Sequence, residues 1–245
     1  YGLETINAFN RYNSKIFKIR IQYLKDKIIE YSKLHKVKRL HVMLLGDLIS
    51  GYIHNSIRLE NRENIVEQII EVSEILSEFI YELSKEIDKI IIYSVGGNHD
   101  RVLPKKDENL DKDNFTLLID EYIKLRIKNI NNVIFQENIY DNDIIVAKIC
   151  GNTCFGVHGD KDKMSTAIPK LTSLIKLIPD YIFMAHLHNC KEDNYGESEI
   201  CVNGSFSGTD SYAKNLRLSS HAMQKLMIFN ESGRICTYNI NLSKL

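Results

Sequence analysis

The chain has 245 residues, of which 44% are hydrophobic and 26% are charged. This balance excludes a disordered chain and provides for a buried core that removes roughly 70–75% of the unfolded surface from water. The 32 basic and 32 acidic residues cancel, so the whole molecule lacks the positive charge of a strong nucleic-acid binder. The sequence contains no stretch of about 20 apolar residues, and we expect a cytoplasmic protein that does not enter a membrane.

The charged residues are unevenly distributed along the chain, and the cysteines show no paired motif. Residues 1–45 are mainly basic and residues 60–88 mainly acidic, which predicts either two solvated helix faces of opposite sign or a basic side that guides a phosphate polymer. The cysteines include no Cys-x-x-Cys pair, which favours reduced thiols over a disulfide framework or a zinc site. They are Cys150, Cys154, Cys190, Cys201 and Cys236.

The first half of the chain alternates helical and strand patterns. Ile16, Ile19, Leu24, Ile28 and Tyr31 form one apolar stripe and predict a helix. The apolar run RLHVMLL, next along the chain, predicts a strand buried on both faces. A long amphipathic helix comes after it, with its stripe at Ile65, Ile69, Val72, Leu76, Ile80, Leu83 and Ile87.

The same alternation continues to the end of the chain. KIIIYSV predicts a second buried strand, FTLLIDEYIKLRIKNI a helix and VIFQ a short strand. Two strands should meet in a hairpin at Gly151–Asn152, and residues 166–180 should be helical with Pro169 near the first turn. YIFM and the C-terminal segments predict further strands, with a turn at Ser232–Gly233. With no repeat or long linker, we expect one domain over residues 1–245, with a layered α/β fold of central β-sheets flanked by helices.

Four predicted strands end on polar side chains that bind metals. LLGD ends at Asp47, VGGNHD carries Asn98 and His99, VHGD carries His158, and MAHLH carries His186 and His188. Ligands bind beyond the carboxyl ends of strands in open α/β sheets. Each residue alone is more simply explained as a turn, a helix cap or an ordinary histidine, but together they predict a metal site. The glycine pair before Asn98 is expected to let the backbone turn sharply.

The blocks GDLISG, GNHD, HGD and AHLH, in this order, resemble the calcineurin-like metallophosphoesterase superfamily. The resemblance implies a metallophosphoesterase-like fold and a site with two divalent cations. It implies that Asp47 bridges both cations, that His188 binds one of them, and that three residues complete the coordination of the other. These three are Asn98, His158 and His186.

The resemblance also implies the residues that act on the substrate. His99 would stabilise charge on the scissile phosphate or protonate the leaving oxygen, and Asp100 would orient His99. Arg101 either contacts a phosphate or is a solvated loop charge. Mixed oxygen and imidazole ligands suit Mn²⁺, Fe²⁺ or Zn²⁺ better than Mg²⁺ alone, and manganese is the expected metal, with iron, zinc and magnesium as alternatives.

Two features depart from the family pattern. Ala185 stands where the family usually has glycine, and no Asp-x-His block precedes Asp47. The first residues, YGLETINAF, resemble the segment that comes directly after that block in the family, so we expect the chain to begin just past it, truncated at its N-terminus. If no such block is encoded upstream, a degenerate and inactive homologue is the better interpretation.

The blocks GDLISGYIH and GGNHDR and the segment GTDSYAKNLRL look most like nuclease-like metallophosphoesterases of bacteriophages and prophages. This implies a hydrolase that cleaves phosphodiesters, a DNA exonuclease or a related nuclease or phosphodiesterase of the kind used in DNA repair. Its partner would be a nucleic acid or nucleotide substrate. The alternatives are a phosphomonoesterase of the same superfamily and a catalytically degenerate binding or scaffold protein. Oligomeric state is open.

Overall fold

The computed structural model describes residues 1–110, 112–215 and 217–245, and consists of twelve short to medium strands and six α-helices in those ranges. The strands are β1 Thr5–Ile6, β2 Arg11–Tyr12, β3 Arg39–Leu45, β4 Lys89–Val95, β5 Val133–Phe135, β6 Ile145–Ile149, β7 Asn152–Val157, β8 Tyr181–Met184, β9 Lys191–Tyr195, β10 Ser198–Val202, β11 Met223–Asn230 and β12 Gly233–Asn241. The helices are α1 Ser14–Leu34, α2 Asn55–Glu60, α3 Ile65–Ser84, α4 Phe115–Ile127, α5 Met164–Ile175 and α6 Ser211–Asn215.

Two sheets form the centre of the molecule. The parallel strands β3, β4 and β5 make a three-stranded sheet, and a five-stranded sheet has the order β6-β7-β8-β10-β9. In the second sheet β7, β8 and β10 are parallel, while β6 and β9 are antiparallel at the two edges. The antiparallel pairs β1-β2 and β11-β12 are separate two-stranded units.

Side chains that alternate along β4 pack against two different layers of the molecule. Ile90 and Ile92 join the apolar cluster that contains helices α1, α3 and α4, whereas Tyr93 and Val95 join the cluster formed with the five-stranded sheet. Helix α5 packs on the other face of that second sheet. The predicted fold class, central β-sheets flanked by helices, is therefore confirmed.

Helix α3 has the predicted apolar stripe, whereas α1 differs from the prediction. Helix α3 begins with a capping box between Asn64 and Glu67. In α1 the expected core residue Ile19 is 53% exposed, and Arg20 beside it is 1% exposed. The guanidinium of Arg20 donates to the carbonyls of Phe206 and Ser207, both at 2.8 Å. A tertiary contact, which periodicity does not encode, therefore accounts for the burial of Arg20, while Leu24 and Ile28 are buried as predicted.

Three local predictions are corrected. Strand β3 is an edge strand among the described residues and is half-buried from His41 to Leu45, so the prediction of burial on both faces was wrong. The hairpin between β6 and β7 turns at Cys150–Gly151, one residue earlier than predicted, with φ of 49° and 87°. Helix α5 begins at Met164, so Pro169 lies inside the helix and not in its first turn.

A helix that crosses a bilayer must be both long and apolar. None of the helices in the described ranges combines the length and the apolar character needed for a membrane span.

Candidate metal centre

The predicted ligands lie at the carboxyl ends of strands from both central sheets. Asp47 and Asn98 follow β3 and β4 of the three-stranded sheet, and His158 and His186 follow β7 and β8 of the five-stranded sheet. Because the strands of each pair are parallel neighbours, their carboxyl ends lie side by side, and the face-to-face packing of the sheets brings the two pairs together. Asp47 and His186, which are 139 positions apart in sequence, thus share one site.

The donor atoms converge on His158. Its Nε2 atom lies 3.1 Å from the side-chain oxygen of Asn98 and 3.3 Å from Oδ2 of Asp47. Ligand atoms of Asp47, His158 and His186 all lie within 4.8 Å of one another. The rings of His158 and His186 meet edge to face, with centroids 5.0 Å apart. A carboxylate and two imidazoles therefore lie close enough to share one cation, with the Asn98 oxygen next to His158.

The ring of His158 is fixed by the backbone. Its Nδ1 atom lies 2.7 Å from the carbonyl oxygen of Leu45, the last residue of β3. A carbonyl only accepts hydrogen bonds, so Nδ1 carries the proton and Nε2 is directed into the site. This contact also joins the two sheets at the site, because Leu45 and His158 belong to different sheets.

Asp47 and His158 stabilise each other's charged forms. Burial alone would raise the pKa of Asp47, but the charge and contact of His158 hold it well below its usual range. Burial alone would lower the pKa of His158, but Asp47 raises it to about 9. The carboxylate of Asp47 is therefore the negative charge that stabilises a cation in this site, and in the metal-free protein that cation is the proton on His158. The mixed donor set fits manganese, iron or zinc.

Three of the predicted metal ligands have a strained backbone conformation. Asp47, His186 and His188 have φ of 51°, 59° and 59°, in the left-handed region that side chains other than glycine rarely adopt. In the described ranges, seven residues other than glycine have positive φ, and these three are among them. Such strain persists only where surrounding contacts hold it, and it is common at functional sites.

The glycine pair before Asn98 has a different role from the predicted one. Neither Gly96 nor Gly97 has a positive φ. A Cβ atom on Gly97 would lie 2.2 Å from both the backbone nitrogen and Oδ1 of Asp47, and one on Gly96 would lie 2.4 Å from the side chain of Asn114. Gly97 is therefore required for the close approach of Asp47 and Gly96 for that of Asn114, and neither is required for a positive φ angle.

The carboxylate of Asp100 links the loop after β3 to the loop after β4. Its carboxylate is fully buried and accepts hydrogen bonds from the backbone nitrogens of Asp47 at 2.7 Å and Gly97 at 2.9 Å, and from Oγ1 of Thr116 at 3.0 Å. Burial and the charge of Asp47 raise its pKa. The expectation that Asp100 orients the ring of His99 is corrected, because its oxygens are directed at the backbone of the loops.

The ring of His99 is oriented by Ser50 instead. Nδ1 of His99 lies 3.0 Å from the carbonyl oxygen of Ser50, so Nδ1 carries the proton and Nε2 is the atom left for a substrate. The backbone nitrogen of His99 donates to Oδ1 of Asp47 at 2.9 Å. Gly51 permits this arrangement, since a Cβ atom there would lie 2.1 Å from the carbonyl oxygen of His99.

His54 is a neighbour of His99 that the sequence patterns did not single out. The two rings have centroids 4.9 Å apart. Burial lowers the pKa of His54, and the charges of His99 and Arg101 lower it further. The only sequence indication was its position in GYIH, in the loop directly after Gly46–Asp47. Arg101, predicted to contact substrate, donates through Nε to the carbonyl of Asn98 at 3.1 Å.

His188 lies in the same cavity but apart from the four converging donors. The cavity has a volume of about 350 Å³, and its lining includes Asp47, His99, His158, His186, His188 and Asp210. Burial lowers the pKa of His188, and the nearby charge of Asp210 opposes this shift. The structure thus brings all the predicted histidines to one cavity and adds Asp210.

The chain has similarities to proteins of known sequence or structure. No family model matches the chain. A curated relative, the SPbeta prophage-derived uncharacterized protein YonJ of Bacillus subtilis (strain 168), is 24% identical over 253 aligned positions that cover 99% of this chain and 62% of YonJ. The chain thus spans less than two thirds of the length of that relative.

Solved structures that are distantly similar in fold include a phosphodiesterase. An archaeal phosphodiesterase is 14% identical with a TM-score of 0.44, covering 89% of this chain and 90% of its own. Vps29 from Entamoeba histolytica, solved with Zn²⁺, is 12% identical with a TM-score of 0.38, covering 68% of this chain and 89% of its own. Overlap at this level is a distant likeness in fold.

Proposed function

We propose that this chain is a metal-dependent phosphodiesterase of the calcineurin-like metallophosphoesterase superfamily that cleaves nucleic acids or nucleotides. One observation carries the proposal: a carboxylate, an amide and two imidazoles from two sheets converge within a few ångströms, with the fixed imidazole of His99 beside them. Asp47, Asn98, His158 and His186 would hold one cation, and His188 would hold the other together with Asp47.

The protein side chains have separate tasks in this reaction. Two divalent cations, when bound, supply a nucleophilic water and neutralise charge on the phosphate oxygens. In its imidazolium form, with Nδ1–H donating to the Ser50 carbonyl, His99 would present Nε2–H to the leaving oxygen, give up that proton and become the neutral ring. Asp100 keeps the two loops in register, so that Asp47 and His99 stay together.

We further propose the substrate, the metal and the location of the protein. The sequence blocks that resemble phage and prophage nucleases favour DNA as the substrate, and YonJ is named as a prophage-derived protein. The mixed donor set favours Mn²⁺ over Mg²⁺. Arg101, on the same loop as His99, is the proposed contact to a substrate phosphate. We propose a cytoplasmic protein in which residues 1–245 act as one catalytic domain.

The test is hydrolysis of bis-p-nitrophenyl phosphate and of single- and double-stranded DNA in Mn²⁺. The protein should include any residues that its gene encodes ahead of Tyr1. We expect phosphodiester turnover that is abolished by EDTA and reduced at least 100-fold by Asp47→Asn. The matched control is His35→Gln, because His35 contacts Tyr238 and is not part of the cavity lining.

The other outcomes identify the alternatives. Turnover of phosphomonoesters alone would contradict the nuclease proposal and favour a phosphomonoesterase. Stoichiometric metal binding without turnover of either ester would favour a binding or scaffold protein that retains the site.

A further inference from the structure

The cavity beside the candidate metal centre contains few carboxylates. Among the residues that the structure describes, the acidic side chains in its lining are Asp47 and Asp210. The buried carboxylate of Asp100 already accepts hydrogen bonds from backbone nitrogens of the loops after β3 and β4. Asn98 and the imidazoles supply donor atoms but no negative charge. Asp210 is therefore the second anionic group that faces the site.

The segment before Asp210 is fixed next to His188. The backbone nitrogen of Ser205 donates to the carbonyl of His188 at 3.0 Å, which ties the His188 turn to this segment. Buried Arg20 donates to the carbonyls of residues 206–207 at 2.8 Å. Asn10 adds hydrogen bonds to the carbonyls of Ser207 and Thr209 at 2.8 and 2.9 Å. Contacts from the N-terminal third of the chain thus place Asp210 at the cavity.

The side chain of Asp210 is 7% exposed and uses one oxygen locally. Oδ1 accepts a hydrogen bond from the backbone nitrogen of Ala213, in the first turn of α6, at 2.6 Å. A cap of this kind uses one carboxylate oxygen and leaves the second for another partner. Asp210 and His188 line the same cavity, together with Asp47.

We propose that Asp210 is a ligand of the metal ion on the His188 side of the site, through the oxygen that does not cap α6. The proposal rests on the metal centre of the proposed function. Two divalent cations bring four positive charges into a partly buried cavity, and Asp47 offsets only one of them. A second carboxylate lowers the repulsion between the cations, and carboxylate oxygens are ligands that Mn²⁺ prefers.

The variant Asp210→Asn separates a ligand role from a structural role. Asparagine caps a helix N-terminus as well as aspartate does, so α6 and the fold should be retained. The variant loses the negative charge that a cation requires. We expect isothermal titration calorimetry with Mn²⁺ to show two ions per wild-type chain, and one site weakened at least 10-fold in Asp210→Asn. The melting temperature of the metal-free protein should be unchanged.

The matched control is Asp193→Asn, an exposed aspartate on β9, which should bind two ions like the wild type. Wild-type affinity for both ions in Asp210→Asn would overturn the assignment of Asp210 while leaving the phosphodiesterase proposal intact. Failure of the wild type to bind Mn²⁺ would overturn both. Loss of one ion in Asp210→Asn without phosphodiester turnover by the wild type would support the ligand and contradict the proposed reaction.

Discussion

At the scale of single residues, the site separates ligands from the residues that position them. Partly exposed Asp47 and buried His158 form a pair of opposite charge, and the carbonyl of Leu45 fixes the ring of His158. Asp100 lies one residue after His99 in sequence, yet its contacts are with the backbone of both loops. The carbonyl of Ser50, which has no sequence signature, positions His99 instead.

The role of His99 predicts a specific kinetic defect. His99→Gln removes the proton donor but leaves the donor atoms of Asp47 and His158 in place. We expect kcat for a phosphodiester to fall by about 10²–10³ while Mn²⁺ affinity stays within about twofold. Steady-state kinetics and metal titration on the same preparation check this, and a parallel loss of metal binding would show that His99 is a ligand.

At the scale of elements, the strand-to-helix loops are the functional units. The loop after β3 and the loop after β4 approach so closely that Gly97 has no room for a side chain. Asp100 and Thr116 hold them from below, and Thr116 belongs to α4. Helix α4 is therefore part of the support of the site as well as of the core.

Helix α4 also carries a buried carboxyl group that makes stability depend on pH. Burial raises the pKa of Asp120 to about 7, and Ser94 and Lys124 offset only part of this. Between about pH 4 and pH 7 the folded state holds a proton that the unfolded state has lost, so this group makes stability fall as pH rises through that window.

Asp120→Asn should remove that dependence, because an amide resembles the protonated acid and carries no charge. At pH 8 we expect the variant to exceed the wild type in free energy of unfolding by on the order of 2–4 kcal/mol, with a smaller difference at pH 5. Urea denaturation at both pH values measures this. An equal difference at the two pH values would show that titration of Asp120 is not the cause.

At the scale of the whole molecule, the site joins two sheets. Asp47 and Asn98 follow strands of the three-stranded sheet, and His158 and His186 follow strands of the five-stranded sheet. A bound cation would therefore cross-link the two halves of the central packing. It would stabilise the folded chain, in which these donors meet, and not the unfolded chain.

Metal removal should lower the stability of the whole chain. At a free Mn²⁺ concentration 100 times the Kd, binding contributes about 2.7 kcal/mol, which corresponds to a rise in Tm of about 5–10 °C for a chain of this length. Differential scanning calorimetry in Mn²⁺ and in EDTA measures the shift. Asp47→Asn should show no Mn²⁺-dependent shift, and an unchanged wild-type Tm would contradict the metal centre.

Sequence periodicity and strand-end motifs were sufficient for the main elements. The stripe of α3, the strands β4 and β8, the layered α/β class and the set of candidate ligands follow from the local patterns, because burial imposes fixed periods on helices and strands. The resemblance of four motif blocks supplied the expected roles. No such pattern exists for Arg20, which is buried through contacts with residues nearly 190 positions away.

The sequence by itself determined which side chains stand at the ends of strands, because that depends on local periodicity and turn residues. Only the tertiary structure decided that β3 is half-buried, that Ser50 and not Asp100 orients His99, and that His54 and Asp210 join the site. These features depend on which loops meet when two sheets pack face to face. Side chains distant in sequence meet there through backbone hydrogen bonds, which any residue type can make.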